Sequence, residues 1–123
     1  MIGTSFQLAN EFEDAIESYH FAEITALNMS ASDIHAICRQ NIGELYSIQR
    51  KSDQAIDSYL KSYELHNISP ILKKIMPVSG LMKEYYTNRD LRNAKKWLEA
   101  GLDLTTQLDP FDSIYVYEFE VYT

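Results

Sequence analysis

Between residues 32 and 50 the apolar side chains Ile34, Ile37, Cys38, Ile42, Leu45, Tyr46 and Ile48 fall on one side of a helix of about that length. A polar stretch, RKSD, follows. Beyond it Ala55, Ile56, Tyr59, Leu60, Tyr63 and Leu65 make a second, facing stripe to about residue 66, with Asp53 placed to cap its start. The two stripes predict a helix pair, A then B, closed by a short turn.

The same pattern recurs along the chain. At an offset of 40, Ile2, Gly3 and Phe6 match Ile42, Gly43 and Tyr46, and Ala15, Ile16, Ser18 and Tyr19 match Ala55, Ile56, Ser58 and Tyr59. At an offset of 39, Leu81, Met82, Tyr85, Ala94, Leu98 and Gly101 match Ile42, Gly43, Tyr46, Ala55, Tyr59 and Ser62. A period near 40 belongs to helical solenoids. The expected fold is therefore all-α: one domain over 1–123, a right-handed superhelix of about three antiparallel helix pairs. Their approximate bounds are 1–29, 30–68 and 69–108, with a fourth pair beginning at 109–123. The turns within pairs are ANEFED, RKSD and TNRD.

Local chemistry supports these boundaries. Ser69–Pro70 and Asp109–Pro110 each offer a capping side chain followed by proline, which marks the start of an A helix. Pro77 lies about two turns inside the third A helix and predicts a kink there. Gly3, Gly43, Ala15, Ala55 and Ala94 are small where A and B helices cross, and Tyr19, Tyr46, Tyr59 and Tyr85 fill the space between pairs. The final IYVYEFEVYT alternates enough to suit a strand, but array context favours helix. Met1 would stand most of three turns inside the first A helix, so a piece of a longer solenoid is expected.

Composition narrows the function. Eighteen acidic against eleven scattered basic residues give a net charge of −7, which disfavours a phosphate backbone as partner, so no nucleic acid is expected. No stretch approaches the ~20 apolar residues that span a bilayer, and the lone Cys38 suits a buried apolar position in a reducing compartment. A cytoplasmic protein with no membrane partner is the expectation. His20, His35 and His66 lie on different helices without a paired carboxylate or cysteine at ligand spacing, so neither metal nor cofactor is expected. No phosphate loop or clustered Ser/His/Asp set is present in the sequence, so no catalytic residue is assigned.

The three copies "IGxxF…FEDAIESY", "NIGELY…DQAIDSY" and "SGLMKEYY…NAKKWLEAGLDL" resemble tetratricopeptide repeats over nearly the whole chain. More specifically they resemble the C-terminal repeat domain of the Rap family, the response-regulator aspartate phosphatases and anti-activators of Gram-positive quorum sensing. The resemblance implies a superhelix that takes up a short signalling peptide in its concave groove. In that family a separate N-terminal helical bundle engages the response regulator and carries the residue that assists dephosphorylation. No such residue carries over here, and no enzyme activity is expected. Related peptide-sensing transcriptional regulators, or a generic scaffolding repeat that binds a protein segment, are the alternatives.

Stacked A helices line the inner face of a solenoid, where polar residues lack a packing purpose. That places Gln40, Asn41, Glu44 and Ser47 on the second A helix, Ser79, Lys83 and Tyr86 on the third, and Gln7 and Leu8 on the first. From these, Gln7, Gln40, Asn41, Glu44, Lys83 and Tyr86 are the expected peptide contacts. The resemblance implies that Asn41 bonds the peptide main chain, a role an amide fills by donating and accepting at once. Leu8 and Ser5 depart from the family pattern, which often has aspartate and asparagine there. With Ile48 beside it, such a groove suits a more apolar peptide. Homodimerisation through the ends of the array, by Ile114, Tyr117 and Val121, is also expected.

Overall fold

The computed structural model describes the backbone of residues 2–65 and 71–107, with side chains at Leu8, 10–65 and 73–107. It contains α1 (Ile2–Asn28), α2 (Ser32–Ile48), α3 (Ser52–Leu65), α4 (Ile71–Thr87) and α5 (Leu91–Thr105). No strand occurs among the described residues. Residues 109–123, with Ile114, Tyr117 and Val121, lie outside them.

Three of the connections are three-residue turns built alike. Ser30, Arg50 and Arg89 take positive φ of 54°, 61° and 62°. The amide after each reaches back five residues, Ala31 to Ala26, Lys51 to Tyr46 and Asp90 to Tyr85, at 2.8–2.9 Å. These bonds close a Schellman-type helix end. Arg50 and Arg89 are 39 apart, the offset read from the sequence. The helix starts differ, however. Asp90 caps α5, accepting from the Asn93 amide at 3.3 Å. Asp53 does not cap α3, which already begins at Ser52. Its register equivalent of Asp90 is Lys51.

The expected turn at ANEFED is absent, because α1 runs unbroken through it for 27 residues. Residues 9–14 contain no glycine or proline and are mostly helix formers, so nothing ends the helix there. Gly3 and Ala15 accordingly mark no crossing between two helices of a pair. Helix α4 runs through the buried Pro77, which stands inside the helix as its position in the sequence implies.

Packing centres on Tyr59. Ala55 and Tyr59 of α3, Ile75, Val78, Leu81 and Met82 of α4 and Trp97 of α5 form the core, with Tyr46 and Tyr85 partly buried against it. Tyr63 meets Trp97 edge to face at 5.2 Å, and Ser62 donates to the Ala36 carbonyl at 2.8 Å, tying α3 to α2. The Tyr59 ring passes between two glycines. A Cβ on Gly43 would stand 2.8 Å from it, and one on Gly80 2.7 Å. The small-residue expectation therefore holds at Gly43 and Ala55. On α4 the closest approach is at Gly80, two positions before Met82. We expect Gly80→Ala to destabilise by roughly 1–3 kcal/mol, since a buried ring held from both sides cannot swing away. Urea denaturation with an unchanged midpoint would contradict this.

Candidate functional site: the open face of α2 and α4

Helices α2 and α4 touch, and they run side by side in the same direction. Lys73 donates to Asp33 at 3.1 Å between their first turns, and Ser47 donates to Glu84 at 2.7 Å between their last. On α2 the positions 34, 37, 41, 44 and 48 are spaced three and four apart, which puts Ile34, Ile37, Asn41, Glu44 and Ile48 on one helical face. Not one of them is buried. The equivalents on α4 at the offset of 39 are Lys73, Met76, Gly80, Lys83 and Thr87, and none of these is buried either.

This corrects the sequence reading of α2. Ile34, Ile37 and Ile48 are 51%, 45% and 65% exposed, whereas His35, Ala36, Cys38, Gln40, Ile42 and Gly43 are buried. Three neighbours, α1, α3 and α4, cover the other sides of the helix, and the isoleucines occupy the side left over.

The expected contact residues divide accordingly. Asn41 is half-buried and Glu44 exposed on the open face of α2, and Lys83 is half-buried on that of α4. Burial holds the Lys83 ammonium below its usual range, while the charge of Glu44 nearby acts in the opposite sense. Tyr86 is 52% exposed one turn further along. Gln40 is placed differently: it is 7% exposed, at the edge facing α4. Its amide donates to Glu44 at 3.3 Å, leaving the Gln40 Oε1 buried without a donor. Ser79 is also buried. Leu8 is 51% exposed on α1, and the Gln7 side chain lies outside the described residues.

Beneath the seam the Tyr59 hydroxyl is in hydrogen-bonding contact with Ser47. Burial first, then the charges of Glu44 and Glu84, push the phenol far above its usual range, so it stays protonated as a donor. The side chain that fills the core thus ends at the floor of the open face.

A second polar cluster was not visible in the sequence. Glu23 of α1 is 5% exposed and is held by His20 Nδ1 at 3.0 Å, His35 Nε2 at 2.5 Å and the Arg39 guanidinium. Burial alone would raise its carboxyl, but the three hydrogen bonds and the Arg39 charge outweigh this, and its pKa is lowered. His20 and His35, read from the sequence as lacking a paired carboxylate, therefore share one. Among the described residues no group of three His, Cys, Asp or Glu has the geometry to hold a metal ion. The buried Cys38 thiol is pushed up by burial and by Glu23. No described helix is long and apolar enough to cross a membrane.

No protein-family model matches the chain, and no solved structure does. A curated protein, the transcriptional activator NprA of Geobacillus stearothermophilus, is 26% identical over 125 residues. The match covers 99% of this chain and 31% of that protein, so the chain spans under a third of its relative's length.

Proposed function

We propose that the chain is a peptide-binding repeat module of a Rap-like regulator, in which α2–α3 and α4–α5 are successive tetratricopeptide pairs of a right-handed solenoid. A short peptide or protein segment lies on the open face of α2 and α4. The observation that carries this reading is a helical face without a buried member on two adjacent helices, apolar at Ile37 and Met76 and polar at Asn41, Glu44 and Lys83. Solvated faces of a plain repeat have no use for three exposed isoleucines beside a half-buried amide. Resemblance to a transcriptional activator over the whole chain supports a regulatory role in the cytoplasm. The module acts by binding rather than by catalysis, and needs no cofactor.

A second reading, a scaffolding repeat, is favoured by Phe21, Ile24 and Leu27 of α1, which are 75%, 58% and 57% exposed. That row would receive another protein's helix or a second copy of the chain. Calorimetric titration with short peptides, repeated on Asn41→Ala, tests the first reading. Loss of the amide should weaken a bound peptide about tenfold, on the order of 1–2 kcal/mol, without lowering the melting temperature. Equal affinity for wild type and variant would remove Asn41 from the site.

A further inference from the structure

Resting on the peptide-binding reading, the geometry points to an occupant that is uncharged and carries two bulky apolar side chains, four residues apart. We propose that one sits on Ile37 and Met76 and the other on Ile48.

The argument starts from the ladder of paired positions. At the offset of 39 the equivalent positions on the two open faces are Ile37 and Met76, Asn41 and Gly80, Glu44 and Lys83, and Ile48 and Thr87. The first rung is apolar on both sides, with Ile37 45% and Met76 39% exposed. In the second, Gly80 rests on the Tyr59 ring and carries no side chain to compete for the Asn41 amide. The third carries one charge of each sign. At the far end Ile48 is 65% exposed. Apolar surface thus lies at both ends, with amide and charge between.

Charge on this face is balanced internally. Lys73 is engaged with Asp33 at 3.1 Å, and Lys83 lies within the field of Glu44. A charged side chain of the ligand would meet one group of its own sign for each opposite one, and would lose hydration against the isoleucines. An uncharged ligand incurs neither cost.

Length follows from helix geometry. Eleven residues separate Ile37 from Ile48, which at ~1.5 Å each is about 16 Å. An extended peptide rises ~3.3 Å per residue and turns alternate side chains to opposite sides, so two side chains four apart lie on one side about 13 Å from each other and with their own length reach both ends.

The test uses capped pentapeptides, Ac-Leu-Ser-Gly-Ser-Leu-NH2 and the same peptide with both leucines replaced by aspartate or by lysine, titrated against the full chain. The leucine peptide is expected to bind at least tenfold more tightly than either charged one, and Ile37→Asp to remove that preference. Circular dichroism verifies that this exposed substitution leaves the fold intact. Tighter binding of a charged peptide, still weakened by Asn41→Ala, would overturn the ligand class while leaving the peptide-binding reading in place. No binding by any of the three would overturn both. Concentration-dependent self-association abolished by Ile37→Asp, with no peptide bound, would identify the occupant as a second copy and contradict the proposal.

Discussion

Tyr59→Ala is expected to destabilise the fold by roughly 3–5 kcal/mol, the largest single effect in the molecule. The ring is 4% exposed and is gripped by the backbones of Gly43 and Gly80, one from each neighbouring helix. Deleting a core side chain costs least when neighbours can move into the space. Glycines on both sides have no side chains to move, so the void between α2 and α4 stays open. Tyr59→Phe should lose only the contact with Ser47, about 1 kcal/mol. Thermal melts compare the pair, with a drop of more than about 10 °C expected for the alanine variant. Near-equal midpoints for the two would show that the ring is not the wedge between these helices.

Glu23→Gln is the second large effect, near the lower end of the roughly 3–5 kcal/mol seen when one partner of a buried ion pair is removed. The Arg39 side chain is 27% exposed and regains some hydration once its carboxylate is gone, whereas His35, at 8%, does not. The contribution has a defined acid limit. Because the folded carboxyl titrates below its ordinary value near 4.3, the unfolded chain binds the proton more readily than the folded one. Stability from Glu23 is therefore fully present above the unfolded pKa and is lost as pH falls through the lower, folded pKa. Urea midpoints of wild type and Glu23→Gln should differ at pH 6, and the gap should begin to close only below the unfolded value of about 4.3 and vanish once pH has passed the lower, folded pKa. A gap that is constant with pH would contradict the ion-pair account.

Much of the helical framework was legible because the repeat imposes it. The offset of 39 recurs in the positions of Arg50 and Arg89, and of the small residues Gly43 abuts the Tyr59 ring and Ala55 is fully buried. What failed did so for definable reasons. ANEFED reads as a turn only by analogy with RKSD, and without a helix breaker the local propensity of α1 prevails. Ile34, Ile37 and Ile48 read as core because an apolar stripe is the usual sign of burial. Three covering helices leave that stripe open, and no single-helix periodicity reveals how many neighbours a helix has. Glu23, His35 and Arg39 lie 12 and 16 residues apart on two helices, beyond any local spacing rule. That Asn41, Glu44 and Lys83 lie off the core was legible from repeat register, while the burial of Gln40 depends on its place at the edge facing α4.

The most direct test of the proposed site is amide chemical-shift mapping by nuclear magnetic resonance during titration with the capped leucine pentapeptide. The account predicts saturable shifts concentrated at residues 34–48 of α2 and 76–87 of α4, strongest around Asn41 and Gly80. Saturable shifts confined to α1, or an unperturbed spectrum at millimolar peptide, would contradict it.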